Sequence, residues 1–158
     1  MKKVIILLFA LVILLPAEQK GFQSIFDGKT LKGWNGDPKF WSVKDGAITG
    51  QTTKANPTKG NTFIIWEGGE LKDFILEVDF KIIGGNSGIQ YRSFKKSGNN
   101  DGWRIGGYQA DFAAGAGGDR YSGICYGEAF RGILSLRGDK TTLTKEGGKL
   151  KKKVEKIG

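Results

Sequence analysis

Apolar and polar residues alternate along most of this chain, which is the pattern of β-strands with one buried face. The clearest example is FILEVDFKII at residues 74–83, in which every second residue from Phe74 to Ile82 is apolar. Shorter alternating segments lie at residues 40–51, 87–93 and 103–112. No segment after the first 17 residues keeps a 3.6-residue apolar period, so the pattern predicts an all-β protein with antiparallel strands.

Glycine marks the predicted turns between these strands. The chain has 26 glycines among 158 residues, and several occur as pairs where an alternating segment ends, as at Gly68-Gly69 and Gly84-Gly85. Glycine adopts positive φ angles without a steric penalty, so such pairs favour tight turns. Many short strands joined by tight turns predict one domain with an antiparallel sandwich or jelly-roll architecture.

The N-terminus has the order of a secretory signal peptide: Lys2-Lys3, an apolar run over residues 4–15, then Pro16-Ala17. The run is too short to span a bilayer as a helix, which takes about 20 residues; a short buried helix is the alternative. We expect a signal peptide at 1–17, a sandwich domain at 18–148 and a lysine-rich tail at 149–158. The mature protein is expected to be periplasmic or secreted, without a stable membrane anchor.

The net charge of +9 is concentrated at the two ends of the chain, in Lys2-Lys3 and in the lysines of 149–158. A nucleic-acid-binding protein carries its basic residues as a stripe on the folded surface, interleaved with stacking aromatic residues. The nearly balanced charge of the remaining chain does not fit that pattern. We therefore expect no nucleic-acid partner.

Histidine is absent and Cys125 is the single cysteine, which limits the possible chemistry. Ser-His-Asp and Cys-His mechanisms, histidine-ligated zinc and cysteine-ligated clusters cannot be built from this chain. Cys125 is expected to be a small buried apolar residue. No cofactor is expected, although a calcium site with oxygen ligands from Asp111, Asp119 and Glu128 is an open alternative.

Two predicted strands carry a polar face that could form a binding site. Alternation places Ile105, Gly107, Gln109 and Asp111 on one side of the segment 105–112, and Tyr108, Ala110 and Phe112 on a core side. Gln90 and Arg92 share a face of the strand 87–93 with Gly88. Three further polar residues, Tyr126, Glu128 and Arg131, could close the edge of the same surface. Sugar hydroxyls need such paired donors and acceptors, but an Arg-Asp pair that satisfies one face of a sandwich is the structural alternative.

The four tryptophans could offer stacking platforms for sugar rings. Trp41 and Trp66 lie within strand patterns, which favours core packing. Trp103, in the polar segment NNDGWR, is the best candidate for an exposed ring.

Six motifs in order resemble the 3-keto-disaccharide hydrolase domain family. They are FQSIFDGKTLKGWNG (22–36), W-x-V-x-D-G-A-I (41–48), L-x-D-F-x-L-x-x-D-F (71–80), G-N-S-G-I-Q-Y-R (85–92), G-Y-Q-A-D (107–111) and Y-x-G-x-x-Y-x-E-x-x-R-G (121–132). The resemblance covers about Phe22 to Gly138 and implies a concanavalin-A-like jelly-roll sandwich that acts on or binds oxidised sugars. Family members usually continue for several more strands, so the chain is expected to be truncated at its C-terminus, with incomplete strand pairing.

The family's chemistry implies roles for the candidate residues. A carbonyl at sugar carbon 3 acidifies the proton on carbon 2, so a base can remove it and expel the group on carbon 1, after which water adds. Asp111 or Glu128 could be the base or the acid, and Arg92 or Arg131 could stabilise negative charge. Tyr126 could donate a proton, and Gln90, Gln109, Arg131 and Trp103 are expected to bind the substrate.

Other functions remain open at the level of the sequence. The same residues could serve a glycosidase with two carboxylates or a non-catalytic carbohydrate-binding module. An inactive gene fragment is a further alternative. Turnover of a keto-sugar glycoside distinguishes an enzyme from a binding module.

Overall fold

The computed structural model describes residues 21–96, 102–115 and 118–157, so the predicted signal peptide lies outside the described residues. Within the described part, the regular elements are antiparallel β-strands and one short helix, α1 (Gly118–Tyr121). No helix among these residues is long and apolar enough to cross a membrane. The predicted antiparallel all-β class is confirmed, whereas the jelly-roll winding stays a prediction.

The largest sheet has four antiparallel strands in the order β5-β6-β7-β8. These strands are β5 (Asn86–Lys95), β6 (Ile105–Ala113), β7 (Cys125–Glu128) and β8 (Gly132–Ser135). The strands β5 and β6 contain the two predicted polar segments and pair directly with each other. The two polar segments therefore lie in one sheet. The alternation on both sides of Gly84-Gly85 also favours a hairpin between 74–83 and 87–93, which is not formed among the described residues.

The remaining six strands of the described part form three two-stranded sheets. They are β1 (Trp34–Asn35) with β4 (Ile65–Trp66), β2 (Trp41–Lys44) with β3 (Ala47–Gly50), and β9 (Asp139–Glu146) with β10 (Lys149–Lys156). A turn at Asp45-Gly46 joins β2 and β3, and both turn residues have positive φ angles. The residues predicted to be a lysine-rich tail form β10, because the Gly147-Gly148 turn folds them back onto β9.

The segment 74–83, the clearest strand in the sequence, is not a strand in the structure. All of its apolar side chains except the half-buried Ile82 are exposed. Phe80 keeps 58% of its surface in solvent, although its ring stacks on that of Phe112 with 4.1 Å between the ring centroids. Alternation therefore identified the side that faces the sheet, but not a partner strand. In the described part of the chain no strand pairs with this segment, so its backbone lacks the ladder that would define a strand. The cost expected for truncating a fully buried phenylalanine does not apply to Phe80.

The buried residues of the large sheet differ from the predicted core. The face of Tyr108, Ala110 and Phe112, expected to be the core side, has an exposed Ala110 and two half-buried rings. The polar face is the deeper one, since Gln109 and Asp111 are 6% and 8% exposed. Glycines on this face leave room for polar side chains to lie against the backbone, which explains how they become buried. The apolar residues that are buried here are Ile105, Ala113, Ile124 and Leu134.

Candidate functional site

The strand register places five of the eight candidate residues on one face of the large sheet. Directly opposed residues of antiparallel strands project to the same side. The register pairs Gln109 with Gln90 on β5 and with Tyr126 on β7. It also pairs Gly88 with Asp111 and Gly107 with Glu128. Gln90, Gln109, Asp111, Tyr126 and Glu128 therefore form one group, which we call the polar face.

Two glycines allow the glutamine side chains to lie flat on this face. A Cβ atom placed on Gly88 would lie 2.7 Å from Cγ of Gln109, so the Gln109 side chain occupies the space above that glycine. A Cβ atom placed on Gly107 would lie 3.2 Å from Cγ of Gln90. Each glutamine thus lies over the glycine diagonally across the strand pair. Side chains at these two positions would displace the glutamines.

The carboxyl group of Asp111 has a perturbed pKa. Burial raises its pKa above the ordinary aspartate value, and the negative charge of Glu128 raises it further. Hydrogen bonds from Gln109 and Asn86 oppose this change, and Nε2 of Gln109 lies 2.5 Å from Oδ1 of Asp111. Because desolvation is the largest effect, Asp111 keeps its proton to a higher pH than an exposed aspartate does. It is suited to act as a proton donor.

Three polar atoms of the glutamines are buried without a hydrogen-bond partner among the described residues. They are Nε2 and Oε1 of Gln90 and Oε1 of Gln109. Buried polar atoms are almost always paired in native proteins. These atoms are therefore positions at which a polar ligand or water would be bound. Gln90 and Tyr126 are half-buried as whole residues, but the amide atoms of Gln90 are themselves buried, so a ligand reaches them only if the side chain moves.

Arg92, predicted to share a face with Gln90, does not lie on the polar face. The pairing of β5 and β6 is irregular between Tyr91 and Phe94, and Arg92 itself has a φ of 49°. Such a bulge interrupts the alternation of side chains. Arg92 donates to the carbonyl oxygen of Lys72 at 3.3 Å and borders a cleft on the opposite side of the sheet.

Arg131 also contacts the opposite side of the sheet. Its Nη1 donates to the hydroxyl oxygen of Tyr108 at 2.6 Å, and its guanidinium lies 4.9 Å from the ring centroid of Phe130. Tyr108 belongs to the side away from Gln109, so Arg131 cannot close the polar face as predicted. The tight turn between β7 and β8 takes it to that side.

Trp103 is half-buried rather than exposed. Its indole Nε1 donates to Oδ1 of Asn35 at 2.8 Å, and its carbonyl oxygen accepts from the backbone of Phe63. The ring therefore connects the N-terminal strands to the start of β6. This role explains its position without a sugar ligand.

The cleft on the opposite side was not predicted from the sequence. It has a volume of about 370 Å³ and is lined by Tyr91, Arg92, Tyr108, Cys125, Leu134, Ser135, Thr141 and Leu143. Cys125, expected to be buried, is half-buried here, with its Sγ 3.8 Å from the hydroxyl oxygen of Tyr91. Burial raises the pKa of Tyr91, and its contact with Cys125 adds to this effect. The tyrosines that alternate with other residues in β5 and β6 are the sequence feature from which this cleft could have been predicted.

The described residues contain no group of three acidic, histidine or cysteine side chains that could hold a metal ion. The alternative calcium site also requires the side chain of Asp119, which lies outside what the structure describes. Of the three proposed calcium ligands, the structure brings together two, because the carboxyl groups of Asp111 and Glu128 share the polar face.

Comparison with known proteins identifies the family. A curated relative from Bacteroides thetaiotaomicron, named 3-keto-disaccharide hydrolase, is 39% identical over a match that covers 49% of this chain and 29% of the relative. The chain thus matches less than a third of that relative's length. No solved structure matches the chain. The family model described as 3-keto-alpha-glucoside-1,2-lyase-like domain matches residues 21–156, which confirms the family indicated by the six motifs. The chain belongs to the family of 3-keto-α-glucoside-1,2-lyase-like domains.

Proposed function

We propose that the polar face binds glycosides of 3-keto sugars and cleaves their glycosidic bond by elimination followed by hydration. The supporting observation is that Asp111 and Glu128, both more than nine-tenths buried, share one sheet face with Gln90 and Gln109. Family membership supports the substrate class. A pair of carboxyl groups in a buried setting can divide the roles of acid and base.

The elimination step uses one carboxyl group in each form. The carboxylate of Glu128 removes the proton from carbon 2, which the neighbouring carbonyl at carbon 3 has acidified. The electron pair of that C–H bond becomes the double bond between carbons 1 and 2, while the bond from carbon 1 to the leaving oxygen breaks. Asp111 donates its proton to the leaving oxygen, a role that its raised pKa favours relative to an exposed aspartate.

The hydration step reverses the two roles. The Asp111 carboxylate accepts a proton from a water molecule whose oxygen forms a bond to carbon 1. As the water oxygen bonds to carbon 1, the electron pair of the double bond moves through carbon 2 onto the carbonyl oxygen at carbon 3. Glu128 then returns its proton to carbon 2, which restores the carbonyl. Both residues end in their starting forms. The sum is hydrolysis without a change in oxidation state, so the proposed reaction requires no redox cofactor.

Arginine is not part of this proposal, since Arg92 and Arg131 contact the other side of the sheet. Negative charge on the oxygen at carbon 3 would instead be stabilised by hydrogen bonding. The amide of Gln90 is the donor that the polar face offers for this purpose.

Glu128→Gln tests the proposed reaction. A glutamine keeps the size of the side chain but is not a base, so turnover of a 3-keto-glucoside is expected to fall about 10²–10⁴-fold. Release of the aglycone is measured for the keto-glucoside and for the unmodified glucoside. Glu77→Gln is the matched control, because Glu77 is exposed in the segment 74–83. Absence of turnover by the unsubstituted protein, or full activity of Glu128→Gln, would contradict the proposal.

A non-catalytic carbohydrate-binding function is the second candidate. The unpaired amide atoms of Gln90 and Gln109 support it, because they could bind hydroxyl groups without chemistry. Binding of an unmodified glycan without any turnover of the keto-glucoside would favour this candidate.

Export from the cytoplasm is also part of the proposal, on the basis of Lys2-Lys3 and the apolar run at 4–15. Mass spectrometry of the protein recovered outside the cytoplasm should give a first residue between about Glu18 and Gly21. Intact Met1 in a cytoplasmic fraction would contradict export.

A further inference from the structure

We propose that the cleft on the side of the sheet opposite the polar face is a second binding site, which takes a small carboxylate with an apolar body. The cleft has a volume of about 370 Å³ and is lined by residues of the large sheet and of β9. Such a volume is typical of small-molecule sites. The inference does not rest on the proposed function, because no residue of the cleft takes part in the proposed elimination and hydration.

Arg92 brings a positive charge to the edge of the cleft. Its φ of 49° lies in the left-handed region, which is unfavourable for a residue that has a Cβ atom. Such conformations persist only where the surrounding structure enforces them, and they are frequent at functional sites. Neighbouring residues of a regular strand point to opposite sides. The bulge removes this restriction, so that Arg92 and Tyr91 line the same cleft.

The two phenols of the cleft have protons to donate to a ligand. The hydroxyl oxygen of Tyr108 accepts from Nη1 of Arg131 at 2.6 Å, which leaves the proton of that hydroxyl for another acceptor. Among the described residues, the hydroxyl of Tyr91 makes one contact, at 3.8 Å to Sγ of Cys125. A thiol is a weak hydrogen-bond partner. Burial raises the pKa of Tyr91, so its hydroxyl keeps a proton at neutral pH.

The charge of the cleft favours an anion over a neutral acceptor. Arg92 uses one N–H of its guanidinium for the carbonyl oxygen of Lys72, which leaves further donors. The described residues that line the cleft include no aspartate or glutamate. The hydroxyls of Ser135 and Thr141 already donate within the protein. A carboxylate fits these free donors because it only accepts hydrogen bonds, carries the opposite charge and matches a planar guanidinium.

The rest of the cleft wall is apolar. Leu134 and Leu143 line it together with the rings of Tyr91 and Tyr108, whose centroids lie 5.9 Å apart. A mainly apolar wall with a few polar groups is the usual composition of a ligand site. An apolar body that covers this wall removes it from water. We therefore expect an aryl carboxylate with two fused rings to bind more tightly than one with a single ring.

The experiment uses Cys125 to report whether the cleft is occupied. It is the single cysteine of the chain and lines the cleft, so alkylation of the protein by N-ethylmaleimide is alkylation at this position. A bound ligand shields the thiol, and 2-naphthoate is expected to slow the reaction, as measured by mass spectrometry. Benzoate should require a concentration about 10-fold higher, because it covers less apolar surface.

Two further compounds separate the charge from the apolar body. The alcohol 2-naphthylmethanol has the same rings without the carboxylate, and acetate has the carboxylate without the rings. Each is expected to protect Cys125 at least about 10-fold less well than 2-naphthoate. Equal protection by 2-naphthoate and 2-naphthylmethanol would contradict recognition of a carboxylate.

Two variants test the assigned donors. Arg92→Gln removes the positive charge and should raise the 2-naphthoate concentration for half-protection about 10–100-fold. Tyr91→Phe keeps the ring and removes one donor, so a change of about 10-fold is expected. Arg120→Gln is the control, because Arg120 is exposed and lies over the ring of Tyr121 in α1. The thermal midpoint of each variant shows whether it is folded.

Two results would overturn the inference. One is that millimolar 2-naphthoate does not slow alkylation of Cys125 in the unsubstituted protein. The other is that folded Arg92→Gln and folded Tyr91→Phe are protected as well as Arg120→Gln.

Discussion

Replacing Asp111 by asparagine is expected to lower the turnover of a 3-keto-glucoside about 10²–10⁴-fold, the contribution of a positioned proton donor. Asparagine keeps the size of the side chain and can still accept the hydrogen bond from Gln109. It cannot donate an acidic proton to the leaving oxygen. The ratio kcat/KM, measured for both proteins across the pH range, tests this. For the unsubstituted protein, activity that depends on protonated Asp111 should decrease as the pH rises through its raised pKa.

The same substitution should not destabilise the protein at neutral pH. The pKa of Asp111 is raised in the folded state, so its favourable contribution is complete below the ordinary aspartate pKa and is lost as the pH rises through the folded value. The asparagine side chain has no charge to desolvate, and Asp111→Asn is therefore expected to have an equal or higher thermal midpoint at pH 7. The difference should vanish in acid. Asp79→Asn is the control, because Asp79 is exposed.

A different result would identify a structural role for the carboxylate. If Asp111 were the partner of a buried cation, its replacement would leave that charge unpaired and lower the thermal midpoint together with the activity. Full activity of Asp111→Asn would show that Asp111 takes no part in the reaction. Glu128 would then be the remaining candidate for a catalytic carboxylate.

The sequence predicted the polar face because its evidence was local. Alternation within β6 puts Gln109 and Asp111 on one side, provided that no bulge interrupts the strand between them. Once β5 pairs with β6, the register of the two strands places Gln90 on the same face. Glycine among these polar positions was a visible sign of close side-chain packing against the backbone. The positions of Gln109 and Asp111 required no knowledge of distant contacts, whereas the position of Gln90 required the register between β5 and β6.

The positions of the arginines could not be predicted in the same way. Arg92 leaves the face of Gln90 because a bulge interrupts the pairing of β5 with β6. A bulge depends on how two strands meet, and the alternating letters of one strand do not contain that information. Arg131 follows a turn after β7, where the direction of the side chain depends on Tyr108 and Phe130. Tertiary contacts, rather than the periodicity of the sequence, determine where the side chains of Arg92 and Arg131 lie.

The segment 74–83 shows a different kind of error. Its regular alternation predicts a strand, but no other strand among the described residues pairs with it. Its alternation is the most regular in the chain, and Phe80 does face the sheet. A strand also requires a neighbour for its backbone groups, and none is present among the described residues. Periodicity therefore predicts the face of a segment better than it predicts its hydrogen bonding.

Gly107→Ala is expected to destabilise the fold strongly, and so tests the packing that holds the polar face. Its added Cβ would lie 2.9 Å from the carbonyl oxygen of Tyr91, which is backbone and cannot move aside alone. The φ of 155° at this position is also unfavourable for an L-amino acid. Overpacking costs about 1–3 kcal/mol and a disfavoured backbone conformation about 1–3 kcal/mol. The free energy of unfolding should therefore fall by about 2–6 kcal/mol, the sum of these two costs, as measured by urea denaturation.

Three other glycines separate the two causes. Gly88→Ala tests the contact alone, since its Cβ would lie 2.7 Å from the carbonyl oxygen of Ala110, and no left-handed φ applies there. Gly69→Ala tests the backbone alone, because Gly69 has a φ of 137° and open space around it. Gly84→Ala introduces neither a close contact nor an unfavourable φ angle, so its stability should equal that of the unsubstituted protein. If Gly107→Ala and Gly88→Ala are as stable as Gly84→Ala, the glutamines do not lie over these glycines and the assigned geometry of the polar face is wrong.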